Sequence, residues 1–412
     1  MSASIKQLFI SLGVLLAGHG LSQTLVPVHA SEMGWSEGNI GVIGSAYFLG
    51  FVIGCLTVPK LLSRAGHIRV FMTMTGITAA SIMLLSDLQH VAAWIGLRML
   101  GGWCLAAIYT TAESWINENA ENAQRGRLIS IYVLVSLVGM ASGQILFSLV
   151  DLEHLFALTA LLILVALVPI GLFCDDQPMA LEEKTIRLRS LRKVSLLARA
   201  GMFTSGVVTG SIWAMTPLLI EASQLDMSSS GMIMMAVILG GATFQLPAGM
   251  AADRFGRLHV TKIVVLSCLA ISMTGFFVRF NNIFELAVIM FLLGSTSLSL
   301  YTLASAEAND RSELSRVEIA TALLLMNGVG SVVGPVLTGL IMSWIPLGLF
   351  LISGAAMTML LVLSHIDSLM PVQAATVEYV EDELADVIPI EEYLEEAEGF
   401  RTVGLEQEEL VG

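Results

Sequence analysis

The sequence predicts an all-α membrane protein, with twelve transmembrane helices arranged as two pseudo-symmetric six-helix bundles. Of the 412 residues, 55% are apolar and only 13% charged, about half the ~25% charged share of a soluble globular chain. The apolar residues gather in blocks of about twenty, the length a helix needs to cross a ~30 Å hydrocarbon core. The second half of the chain also repeats the first in register.

In chain order, the apolar runs give spans at 8–29, 38–61, 70–86, 91–115, 128–150 and 155–174, and then at 197–220, 230–251, 259–279, 284–305, 318–342 and 346–366. The first run follows Lys6 and has no small-residue cleavage site behind it, so it reads as a permanent helix rather than a removable signal. The expected domains are an N-terminal six-helix bundle (1–174), a cytoplasmic linker loop (175–196), a C-terminal six-helix bundle (197–368) and an acidic cytoplasmic tail (369–412). Orientation follows from the basic residues, because cytoplasmic loops retain Lys and Arg. Lys6, Arg64, Arg69, Arg125, Arg127, Lys184, Arg187, Arg189, Arg192, Lys193, Arg254, Arg257, Lys262, Arg311 and Arg316 fall at loops of one parity, and Arg279 is the clear exception. Both termini and the linker are therefore expected in the cytoplasm, and the protein in the bacterial inner membrane, surrounded by lipid.

The formal net charge of −14 comes mostly from the tail: residues 372–412 hold thirteen of the thirty-four acids and one of the twenty bases, which leaves the body at −2. With no basic surface beyond the loops, nucleic acid is excluded as a partner. Cys55, Cys104, Cys174 and Cys268 sit in or beside apolar runs and show neither a disulfide framework nor a zinc spacing. No Gly-Lys-Ser/Thr nucleotide loop, nucleophile elbow or metal-ligand cluster appears. The expectation is no cofactor, no metal and no enzymatic activity, with energy drawn from a gradient or from a solute.

A shift of 190 residues lays Gly20 on Gly210, Pro27 on Pro217, Gly41 on Gly231, Gly50 on Gly240, Arg64 on Arg254 and Gly66 on Gly256. A shift of 191 lays Arg125 on Arg316, Gly139 on Gly330 and Gly143 on Gly334. Two like halves in one membrane imply a pseudo-twofold axis along its normal and a shared cavity that opens to each side in turn.

The loop Gly249-Met250-Ala251-Ala252-Asp253-Arg254-Phe255-Gly256-Arg257 resembles the signature loop of the major facilitator superfamily. Its first-half partner is Ser63-Arg64-Ala65-Gly66-His67-Ile68-Arg69, and Arg98-Met99-Leu100-Gly101-Gly102 resembles the same superfamily's fourth-helix motif. The resemblance covers residues 1 to 368 and implies the fold, not the solute. It also implies that Arg64, Gly66, Asp253, Arg254, Gly256 and Arg257 form cytoplasmic gating loops. Gly would permit a tight turn, Asp would sit by a helix N-terminus and Arg would pair with acids on a neighbouring helix. Ser63 replaces the acid in the first half, so the latch is expected to be weaker there. The alternative is a basic turn that only sets topology. The fifth span reads Gly139-Met140-Ala141-Ser142-Gly143-Gln144, without the proline usual in drug and proton antiporters of the superfamily. Gly330–Pro335 in span eleven is closer to that motif, so antiport is not established by it.

Ionisable groups at membrane depth cost several kcal/mol unless they face water or a partner, which singles out a small set. His19 lies in span one between two glycines, with Gln23 one turn later on the same face. It either binds a solute or proton or donates to a carbonyl loosened by those glycines. Arg98 stays charged at any biological pH. The resemblance implies a part in coupling or anion recognition, and the alternative is a structural bond to a helix carbonyl. Glu113 lies about 60° round the helix from Arg98 but near the cytoplasmic end, where solvation competes with a cavity role. Trp213, Tyr109 and Tyr301 either contact a solute or act as packing anchors, and Tyr109-Thr110 and Tyr301-Thr302 occupy near-equivalent repeat positions.

The expected function is therefore secondary active transport of a small solute by alternating access, coupled to protons, around a cavity of His19, Gln23, Arg98, Tyr109, Glu113, Trp213 and Tyr301. The alternative is a non-transporting membrane sensor or scaffold that signals through its acidic tail. That tail could also meet the basic loop at 184–199 within the same chain.

Overall fold

The computed structural model describes residues 3–119, 125–174, 194–312 and 316–369. Nearly all of the linker loop, the acidic tail from residue 370, and so the contact expected between them, lie outside the described residues. The described residues up to Ser364 form one compact unit, which holds the cavity and every contact discussed below.

Among the described residues, twelve helical spans are long and apolar enough to cross a membrane. They are α1 (Ala3–Glu32), α2 (Glu37–Ala65), α3 (His67–Asp87), α4 (Val91–Asn119), α5 (Arg125–Leu149), the pair α6 (Leu152–Val165) and α7 (Leu167–Phe173), α8 (Leu196–Ala222), α9 (Ser230–Phe255), α10 (Arg257–Phe277), α11 (Ile283–Arg311), α12 (Arg316–Met342) and α13 (Gly348–Leu369). The sixth span is two helices because Pro169 has no N–H to offer the Val165 carbonyl, and the chain breaks at Ala166. Several helices outrun the apolar stretches that predict them, α11 by six residues at its C-terminal end. A helix need not stop where its hydrophobicity does, since its last turns can stand in the headgroup region.

The connections on one end of the bundle carry the Lys and Arg residues, and this end is called the basic face. The opposite, Lys/Arg-poor face carries the α1–α2, α3–α4, α5–α6, α8–α9, α10–α11 and α12–α13 connections. On that face Asp226 accepts from the backbone N–H and the hydroxyl of Ser228, at 2.9 and 2.7 Å, at the start of the turn into α9. These bonds hold its carboxyl below the usual carboxylate range.

The two halves use the same packing. α2 lies on α4 as α9 lies on α11, and α1 lies on α5 as α8 lies on α12. The repeated glycines sit at these crossings. A Cβ on Gly50 or Gly102 would strike the Met99 or Tyr47 carbonyl, and a Cβ on Gly240 or Gly294 would strike the Phe291 or Val237 carbonyl. Small residues are what let membrane helices approach this closely. α1 and α8 are the central helices, each with 83% of its span window buried. Large apolar side chains such as Leu134, Leu149, Leu161 and Leu172 stand on the outside, where lipid rather than water surrounds a chain of this class.

The halves meet along two related seams near the Lys/Arg-poor face. Gly41 of α2 lies against the Pro335 carbonyl and Gly339 of α12, while Gly231 of α9 lies against the Gln144 carbonyl and Ser148 of α5. The repeat shifts carry Gly41 to Gly231 and Gln144 to Pro335, so each seam is the pseudo-twofold image of the other. Ser31 of α1 donates to the Glu221 carboxylate of α8 at 2.5 Å. These two positions are 190 residues apart and map onto each other, so this bond sits at the pseudo-axis.

Candidate functional site

Four buried side chains from three helices meet near the middle of the first half. His19 and Gln23 project from α1, Tyr47 from α2 and Arg98 from α4, each between 5% and 8% exposed. Arg98 Nη2 donates to Gln23 Oε1 at 3.0 Å. The Arg98 guanidinium carbon stands 4.4 Å above the Tyr47 ring centroid, a distance at which the ring's negative face attracts the cation. Tyr47 Oη lies 3.4 Å from His19 Nε2, and the two rings stack at 5.9 Å. Ser22 donates to the His19 carbonyl, so a side chain of its own helix serves this carbonyl. Among the described residues no carboxylate lies within ion-pair distance of Arg98, and its Nε is buried without a hydrogen-bond partner.

The cluster is held by α5. Gln144 accepts from Thr24 Oγ1 at 2.7 Å and donates to the Gly20 carbonyl at 2.8 Å, straddling the turn of α1 between His19 and Gln23. Gln144 thus stands at the end of the fifth-span run that lacks a proline.

A cavity of about 260 Å3 opens on the basic side of this cluster. From the first half it is lined by His19, Gln23, Tyr47, Phe48, Phe51, Tyr109 and Met140, and from the second by Trp213, Leu324, Asn327, Gly328 and Ser331. On the other side of Gln23 a crevice of about 10 Å3, room for about one water, runs toward the Lys/Arg-poor face between Arg98, Pro27, Ile40, Gly44 and Ala214. Gln23, Phe48 and Trp213 border both spaces, so they form the partition between cavity and crevice.

Of the residues singled out from the sequence, His19, Gln23, Tyr109 and Trp213 line the cavity, and Arg98 lines the crevice next to it. Glu113 lies about 22 Å along α4 from Arg98 at ~1.5 Å per residue. Its carboxylate accepts from Tyr132 of α5 at 3.3 Å. Tyr301 packs with Met326 against the Met202, Ala304 and Leu323 core and is outside the cavity lining. Tyr47, Phe51, Asn327 and Ser331 were not legible as site residues. An aromatic or small polar residue in a span looks like packing until its neighbours on other helices are known.

On the basic face, Gly66 (φ 81°) and Gly256 (φ 89°) each end one helix and begin the next. The left-handed backbone there explains why both repeats keep glycine. Arg257 Nε pairs with Asp310 of α11 at 2.6 Å, and its Nη2 lies 3.8 Å from Asp253. Arg254 lies 5.4 Å over the Phe255 ring instead, and Arg64 is exposed. In the first half His67, the repeat counterpart of Arg257, meets Ser114 of α4 at 2.8 Å, and Ser114 donates to Glu118 at 3.3 Å. A chain of hydrogen bonds that ends on the Glu118 carboxylate therefore occupies the place of the second half's ion pair.

Two like bundles in twelve membrane-crossing helices, with one polar and aromatic cavity walled by both, define a membrane transporter. The sequence model of the Major Facilitator Superfamily matches residues 8–228 and 200–389, and the chain belongs to that superfamily. It is 29% identical over 344 residues to the uncharacterised MFS-type transporter YcaD of Salmonella arizonae, covering 82% of this chain and 88% of the relative. It is 30% identical over 355 residues to an uncharacterised MFS-type transporter of Enterobacter sp. (strain 638), covering 83% and 89%. Among solved structures, the fold matches a mutant of the nucleoside transporter NupG with TM-score 0.75 at 14% identity, over 88% of this chain and 99% of that one. It also matches a bacterial homologue of the human lysosomal transporter Spinster, in an inward-facing and occupied conformation, with TM-score 0.69 at 12% identity, over 89% and 95%. The chain is a multi-pass protein of the bacterial inner membrane, and its relatives are transporters rather than enzymes.

Proposed function

We propose that this protein is a secondary active transporter that moves a small solute by alternating access, coupled to protons, with its basic face in the cytoplasm. One observation carries this reading: the cavity is walled by α1, α2, α4 and α5 of one half and by α8 and α12 of the other. Any rotation of one half against the other must remake it. In the state described, the seams at Gly41 and Gly231 and the Ser31–Glu221 bond close the Lys/Arg-poor side, and the cavity lies toward the basic side, which fits a carrier turned inward. His19 brings to the cavity wall an imidazole, a group able to take up and release a proton, and its contact with Tyr47 links it to the ring under Arg98. A signalling scaffold has no use for a two-walled cavity with a buried guanidinium at its end.

The test is flux in proteoliposomes carrying the full-length chain, with an imposed pH gradient and a panel of labelled anionic, neutral and cationic metabolites. Gradient-driven accumulation of at least one solute is expected. His19→Gln should lose the dependence on the gradient and keep solute exchange. Flux indifferent to the gradient in the wild type removes the proton coupling, and absence of flux for every solute removes transport itself.

A further inference from the structure

We infer that the solute is an organic monocarboxylate, its carboxylate taken by Arg98 in place of Gln23 and its apolar or aromatic body by the cavity wall that Trp213 and Asn327 complete. The inference rests on the transport reading and adds the chemical class of the cargo.

The charge inventory leads there. Arg98 is a permanent cation, 92% buried, inside a membrane-spanning bundle. A structural buried arginine has a carboxylate or several carbonyls around it, because an uncompensated charge at that depth is costly. Here the described residues supply one amide oxygen and one ring face. The cavity lining itself contains no Asp, Glu, Lys or Arg, so a bound anion meets no opposing charge from its wall.

The geometry makes the same point at single-atom level. The Nε–H and one Nη2–H of a guanidinium lie side by side on one edge and form a two-donor fork that matches the two oxygens of a carboxylate. Gln23 offers one oxygen, which takes Nη2, and Nε is left buried and unpartnered. The amide therefore fills half of a site shaped for a carboxylate. Gln23 borders both crevice and cavity, so when its side chain swings aside an anion coming from the cavity can reach the fork. The remaining lining, with Phe48, Phe51, Tyr109 and Trp213, suits an apolar body. At about 260 Å3 the volume is at the small end for ligand pockets.

The experiment is thermal unfolding of the purified full-length protein with carboxylates (hexanoate, benzoate, phenylacetate, indoleacetate) and the matched neutral amides. At least one carboxylate should raise the Tm with an apparent Kd at least about tenfold below that of its amide, about 1.4 kcal/mol. Gln23→Glu places an internal carboxylate on the same fork. It should fold with an unchanged or higher Tm and lose the response to carboxylates. Arg98→Lys, a point charge without the fork, should weaken the response. Equal stabilisation by acid and amide, a full carboxylate response in Gln23→Glu, or no response to any carboxylate overturns the inference. If proteoliposomes then move a neutral or cationic solute, transport stands and only the cargo class falls; if they move nothing, both fall.

Discussion

Arg98 depends on Tyr47 for part of the compensation of its buried charge. The guanidinium has given up water for a site with one hydrogen-bond acceptor, so the ring face 4.4 Å away carries much of its remaining compensation. Cation–π contacts are worth about 2 kcal/mol or more when desolvated. Tyr47→Phe keeps that face and removes only the hydroxyl 3.4 Å from His19, so its Tm should fall little while coupling to His19 changes. Tyr47→Leu removes the face and should lower stability by about 2 kcal/mol, seen as a lower Tm for the purified, solute-free protein. Equal Tm values for the two variants would show that the ring acts by filling space alone. At this scale the sequence was half legible. Arg98, His19 and Gln23 stand out because polar groups are rare in apolar spans, but nothing in the local sequence of α2 marks Tyr47 as the partner. The pairing arises where α2 crosses α4, from contacts 51 residues apart in the chain.

At the scale of the helix pair, that crossing rests on adjacent glycines with different surroundings. A Cβ on Gly102 would meet the Tyr47 carbonyl and the Phe51 nitrogen, both backbone, whereas a Cβ on Gly101 meets nothing within 4 Å. Gly102→Ala must push α2 off α4, and overpacking of this kind costs about 1–3 kcal/mol. It also moves Tyr47 away from Arg98. Gly101→Ala gains the helix preference of alanine, up to about 1 kcal/mol, with no contact to lose. The Tm difference between these two variants measures how closely the crossing is fitted, and two equal values would sink the account. Both glycines belong to the run that resembles the fourth-helix motif, and the sequence gives no sign of which one packs. Span number and order were legible because hydropathy reports directly on the bilayer. Helix ends and the break at Ala166 were less so, because they depend on single residues such as Pro169 and on turns outside the apolar core.

For the whole molecule, the repeat is more than a count of helices. Each inter-half seam maps onto the other, and Ser31–Glu221 maps onto itself. Contacts related in this way can be released together when the two halves rock against each other about a line in the membrane plane, the motion alternating access requires. The repeat was visible in the sequence as matched glycines, but which of them join the halves was not, since Gly41 and Gly50 look alike until their neighbours are seen. Alternating access then predicts the effect of a tether at the axis. With Cys55, Cys104, Cys174 and Cys268 replaced, Ser31→Cys and Glu221→Cys joined by a short reducible thiol reagent should fold normally and bind solute from the cavity side. In vesicles such protein should carry out no transport until the tether is cleaved, because the Lys/Arg-poor side can no longer part. The same reagent on either single variant should leave flux intact, which separates locking from chemical damage. Undiminished flux through fully tethered protein would mean that the solute takes another path and that the sealed face is a permanent wall rather than a gate.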